Sequence, residues 1–128
     1  MQKQSLKNRP KNLNLFTIKL PINAVVSILH RVSGIGLFLS IPLILLALQY
    51  LIRSKTDFTV LIGWLNTWFV KLVLIGFAWA FFHHFFAGIR HLLQDIHWMT
   101  SLNNARLSSR ILLWLVVIVT VIFAIVIW

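Results

Sequence analysis

The sequence predicts an all-α integral membrane protein with three transmembrane helices, and three observations carry that prediction. The chain of 128 residues is 59% hydrophobic and 11% charged, with a mean hydropathy of +0.89, too apolar for a soluble domain of this size. Three apolar stretches, at about 22–52, 60–93 and 111–128, each reach the ~18 residues that mark a membrane span. Basic residues crowd to one side of these stretches, as the positive-inside rule requires of a multi-pass protein.

The first element, residues 1–21, is a basic polar tail carrying Lys3, Lys7, Arg9, Lys11 and Lys19, punctuated by Pro10 and Pro21. It lacks a compact apolar core followed by a small-residue cleavage site, so it does not resemble a cleaved signal peptide. Residues 22–128 then form one transmembrane domain. Pro42 sits inside the first span, where it removes one backbone hydrogen bond that neighbouring helices can make good. Arg53, Lys55 and Asp57 make a short first connection, and residues 90–110 make a longer, more polar second one.

Five Lys and Arg in the tail, with Arg90, Arg106 and Arg110, oppose Arg53 and Lys55 on the other side. This bias places the N-terminus and the second connection in the cytoplasm. Trp98 and Trp114 then fall at the inner boundary, Trp64, Trp68 and Trp128 at the outer one, and Lys71 can snorkel to the outer surface.

Composition also excludes much. The net charge of +10 is a topology signal in so apolar a chain, not a nucleic-acid footprint, because no basic stripe with interleaved aromatics lies outside the spans. With no Cys there is no disulfide, no iron-sulfur cluster held by this chain, no thiolate nucleophile and no covalently attached haem. The two acids, Asp57 and Asp95, fall in different connecting regions and form no catalytic pair. Metal or redox chemistry must rest on the five His.

At about 100° per residue, Ser27, His30, Arg31 and Gly34 share one stripe of the first helix, and His84, Gly88, His91 and Asp95 share one stripe of the second. An Arg within a span costs on the order of 2.5–3.5 kcal/mol on insertion scales, which favours an anionic or carbonyl partner for Arg31. The competing reading is an Arg that snorkels to the inner surface. Gly88, one turn from His84, leaves room for a planar ring, and neutral imidazole is a common axial ligand of haem iron. A histidine that merely hydrogen-bonds a neighbouring helix fits the same spacing. His83 points about 100° off the stripe, and it and His97 are read as structural. Counting rise from Asn23 and Asp95 puts His30 ~10 Å and His84 ~16 Å deep. His30 then matches the edge of such a ring better than its centre, and a second axial ligand would come from another chain.

These residues resemble the cytochrome b556 membrane-anchor family of succinate dehydrogenase. The likeness rests on Arg9-Pro10 with Asn12-Leu13, on the run from Ser27 through His30-Arg31 to Gly34, and on His84 followed by Gly88-Ile89-Arg90-His91 and Asp95. It implies half of a heterodimeric haem-binding helix bundle in a bacterial inner membrane. A second hydrophobic anchor would share one haem b and supply the other axial ligand, with an iron-sulfur subunit and a flavoprotein subunit completing the enzyme. The resemblance makes His84 the axial ligand, sets His30 and Arg31 toward the haem propionates with Gly88 beside them, and gives Ser27 and Arg31 to ubiquinone. On this reading the chain passes electrons onward and has no activity alone. Two rivals remain: a haem-free quinone-binding anchor of a fumarate reductase type, and a small multidrug-type transporter, which would need an acid deep in the bilayer.

Overall fold

The structure, a computed structural model, describes residues 17–128. The basic tail expected over 1–21 therefore falls almost entirely outside the described residues. The chain forms α1 (Ile22–Arg53), α2 (Lys55–Leu65), α3 (Trp68–Asp95) and α4 (Leu102–Ile127), with no strand among the described residues. Helices α1, α3 and α4 are each long and apolar enough to cross a membrane, and the protein is a multi-pass membrane protein. At 1.5 Å per residue, their 32, 28 and 26 residues give roughly 48, 42 and 39 Å, more than the ~30 Å hydrocarbon core requires.

Local chemistry sets the boundaries. The Pro21 carbonyl accepts the first free amides of α1, from Ala24 at 2.9 Å and Val25 at 3.2 Å, and α1 runs unbroken through Pro42. The first connection shrinks to Ser54, whose hydroxyl caps α2 by accepting the Asp57 amide at 3.0 Å. Asp57 also lies within 3.8 Å of Arg53, and its charge in the first turn suits the helix dipole.

Two expected boundaries move. The stretch expected to run from 60 to 93 as one helix is divided at Asn66 and Thr67. The Asn66 side-chain amide donates to the Ile62 carbonyl at 3.0 Å and the Thr67 hydroxyl to the Trp64 carbonyl at 2.7 Å, so α2 is closed off by side chains that compete with helical hydrogen bonding. The third span, α4, starts at Leu102 rather than 111, capped by Ser101, so the second connection is only residues 96–101. His97 and Met99 take positive φ there, at 64° and 58°, and the His97 Nδ1–H donates to the Asp95 carbonyl at 3.1 Å.

Helix α3 packs on both α1 and α4. The core lies where α1 begins, α3 ends and α4 begins, and consists of Val26, Ala87, Leu112 and Val116 with Trp79, Phe82, Phe86 and Leu113 around them. Polar ties close this end. The Ser109 hydroxyl donates to Asn23 Oδ1 at 2.8 Å, and Arg90 donates to the Ser108 hydroxyl at 3.0 Å and the Ala105 carbonyl at 3.1 Å. Arg90, assigned from sequence to the inner connection, is instead buried within α3. At the far end α1 and α3 separate around an apolar cavity of about 600 Å³, lined by residues that include Leu43, Ala47, Leu65, Phe77 and Phe81.

Candidate functional site

The two polar stripes meet. The His30 ring of α1 stacks on His84 with centroids 4.3 Å apart and planes 9° from parallel, and on His91 at 4.9 Å and 23°. The ~6 Å difference in depth that sequence arithmetic gives His30 and His84 is within the reach of two imidazole side chains. Helical rise locates Cα atoms, whereas the rings extend from them and touch.

One glycine makes this approach possible. A Cβ added at Gly34 would come within 2.8 Å of His84 Cε1 and 3.1 Å of its Nδ1, so only a glycine lets that ring lie against α1. Gly88 faces His30 more loosely: an added Cβ would lie 3.6 Å from its Nε2, an ordinary contact that does not demand a glycine. The clearance that the sequence suggested at Gly88 is thus occupied by His30. Gly34, seen in sequence only as part of a stripe, holds the tighter position.

His84 is oriented by its other ring nitrogen. Its Nδ1 lies 3.0 Å from the His30 carbonyl, and because a carbonyl only accepts, that nitrogen must carry the hydrogen. Neutral imidazole then has its lone pair on Nε2, since the ring's hydrogen bond among the described residues is made through Nδ1. This is the arrangement that prepares a histidine for a metal: the distal N–H held by a backbone carbonyl, the free lone pair fixed in direction. His84 borders a shallow groove of about 490 Å³ completed by His30, Arg31, Gly34, Ile35 and Phe38. The donor chemistry, a neutral imidazole nitrogen beside apolar walls and one cation, fits one side of a haem. No cluster of three or more His, Asp or Glu poised for a metal ion occurs among the described residues, so any metal here would rest on single imidazoles.

The remaining residues sort by position. Arg31 is exposed on the groove and its guanidinium donates to the Ser27 hydroxyl at 3.4 Å, so the two expected partners of a quinone lie together. His91 is half-buried and its Nδ1–H donates to the Ala87 carbonyl at 2.6 Å, leaving its ring to support His30. His83 is fully buried, stacked on Trp79 at 5.4 Å, and His97 is exposed on the short turn. Lys71 donates to the Trp128 carbonyl at 3.2 Å with its ammonium 5.8 Å from that ring, joining the start of α3 to the end of α4. Sequence reasoning missed Arg90 as a helix-pairing residue. Its signal was the small face of Ala105, Ser108 and Ser109, spaced to admit a guanidinium.

Residues 5–123 match the family described as succinate dehydrogenase/fumarate reductase transmembrane subunit. The chain is 32% identical over 127 residues to the succinate dehydrogenase cytochrome b556 subunit of Rickettsia felis, covering 98% of this chain and 96% of that one. It is 39% identical over 103 residues to the subunit of the same name from Coxiella burnetii, with 79% and 82% covered. Similarity extends to the cytochrome b560 subunit of Reclinomonas americana, at 33% over 120 residues, 90% of this chain and 83% of that one.

Proposed function

Because the chain belongs to the succinate dehydrogenase/fumarate reductase transmembrane-subunit family, we propose that it is the cytochrome b556-type anchor of a succinate dehydrogenase. In this role it holds one side of a haem b through His84 and passes electrons from an iron-sulfur subunit to ubiquinone. The flavoprotein subunit would carry succinate oxidation, and the chain would have no activity alone. A second hydrophobic anchor would supply the opposite axial ligand. The N-terminus would lie in the cytoplasm of a bacterial inner membrane.

The observation that carries the reading is the hydrogen bond from His84 Nδ1 to the His30 carbonyl, which leaves Nε2 directed and unpaired. Haem, when bound, supplies one-electron redox chemistry. The chain's own residues do the rest. Gly34 seats His84, and His30 and Arg31 would present polar groups toward the propionate edge, with Gly88 beside His30. Ser27 and Arg31, hydrogen-bonded to each other, offer donors to a quinone carbonyl, and a guanidinium stabilises negative charge that grows there as electrons arrive.

The test is the reduced-minus-oxidised spectrum and haem content of the whole purified complex, wild type beside His84→Ala. Loss of the b-type signal in the variant is expected. An unchanged spectrum and content would refute ligation by His84, and a haem-free wild-type complex would establish the fumarate reductase-type alternative. A transporter is disfavoured because Asp95, the acid on the site stripe, is exposed at the end of α3.

A further inference from the structure

His83 adjoins the proposed ligand in sequence but faces the other way, into the helix interface, where it is 0% exposed. Its Nε2 lies 3.4 Å from the Val26 carbonyl and so carries the ring hydrogen. Nδ1 is left as an acceptor, buried and without a partner among the described residues. Such an orphan costs on the order of 1–3 kcal/mol. A Phe would fill the same space at no such cost, so packing alone does not account for an imidazole here.

What the imidazole adds is a second fixed point. His84 donates to the His30 carbonyl and His83 approaches the Val26 carbonyl, so consecutive residues of α3 reach two carbonyls one turn apart on α1. One hydrogen bond lets a helix pivot about it; two in different directions fix both rotation and height. Trp79, one turn earlier on α3, stacks on His83 with planes 20° apart and holds its ring in place. We propose that His83 is a positioning residue, fastening α3 to α1 so that the neighbouring His84 aims Nε2 into the groove. The proposal rests on the reading of His84 as haem ligand.

The experiment uses the whole purified complex and two haem readouts besides turnover. One is the largest g value of the ferric low-spin EPR signal, which follows axial-ring orientation; the other is the oxidised-to-reduced ratio at a fixed potential. His83→Phe keeps the bulk and removes the donor, and should move the g value and shift the ratio about threefold or more. His83→Gln, whose side-chain amide can reach the same carbonyl, should return both toward wild type. Wild-type values in His83→Phe, or equal shifts in both variants, would overturn the proposal. If His83→Phe does not assemble, His83→Gln decides: a wild-type g value sustains the positioning role, and a shifted one, or failure to assemble, overturns it. His84→Ala separates the two claims. Full haem there overturns ligation and positioning together, whereas haem loss there with insensitive His83 variants overturns positioning alone.

Discussion

Substituting Gly34 by Ala should weaken haem retention while leaving the chain folded. The added Cβ would sit 2.8 Å from His84 Cε1, about 0.6 Å inside the 3.4 Å at which ordinary contact begins. A ring displaced by that much takes its 3.0 Å hydrogen bond to the His30 carbonyl beyond useful length. Overpacking of this kind costs about 1–3 kcal/mol and the lost bond about 1 kcal/mol more. Exchange of Gly for Ala within a helix returns roughly 0.5–1 kcal/mol. The net penalty is about 1–3 kcal/mol, or roughly one to two decades in affinity. The assay is haem content per purified complex, with the rate of haem transfer to excess apomyoglobin. Gly36→Ala is the matched control, because a Cβ there meets nothing within 4 Å. Wild-type transfer from Gly34→Ala, or equal loss from Gly36→Ala, would refute the claim that Gly34 seats the ligand.

Arg90→Leu removes two hydrogen bonds from a buried guanidinium to α4, and should lower the thermal midpoint of the detergent-solubilised complex by several degrees. An unchanged midpoint would show that Arg90 does not pair these helices. Arg31→Leu should leave that midpoint alone, since Arg31 is exposed and, among the described residues, bonded only to Ser27 four residues away, yet slow succinate-dependent quinone reduction tenfold or more. Equal loss of succinate oxidation by an artificial acceptor taken upstream of the quinone would indicate failed assembly and refute the quinone role. In this Cys-free chain, a single Cys at position 57 should react with an impermeant thiol reagent outside intact spheroplasts and one at position 97 should not. The reverse pattern would invert the topology.

The number of spans was legible because length and hydropathy are sums over many residues. The joints were not, because each depends on a few side chains. Asn66 and Thr67 carry no charge and interrupt no apolar run by composition; they end α2 through local hydrogen bonds that hydropathy does not register. The early start of α4 escaped for the opposite reason. Residues 102–110 are too polar for a span, yet Ala105 and Ser109 are buried, against α3 and α1, as soon as the helix begins. Arg90 looked like a charge for the connection because sequence gives a cation no partner until the facing helix is in place.

For the proposed site, helical periodicity grouped the residues of each stripe, since each lies three or four positions from another member of its own stripe. It could not say which faces meet. Which faces meet bears on our proposal that another chain would supply the second axial ligand. Two ligands on opposite sides of an iron must point their nitrogens toward each other across it. His30 lies face to face on His84 at 4.3 Å with nearly parallel planes, so it stands beside His84 and not opposite. His91 stacks on His30 in turn, and His83 is enclosed against Val26 and Trp79. None of these three can face His84 Nε2 without dismantling the packing that orients it. His97 is exposed on the turn beyond the end of α3, so the second ligand of a bis-histidine haem held by His84 would come from another chain, as we propose. The groove beside His84, flanked by the exposed Ile35 and Phe38, is the side from which a second anchor subunit would bring it.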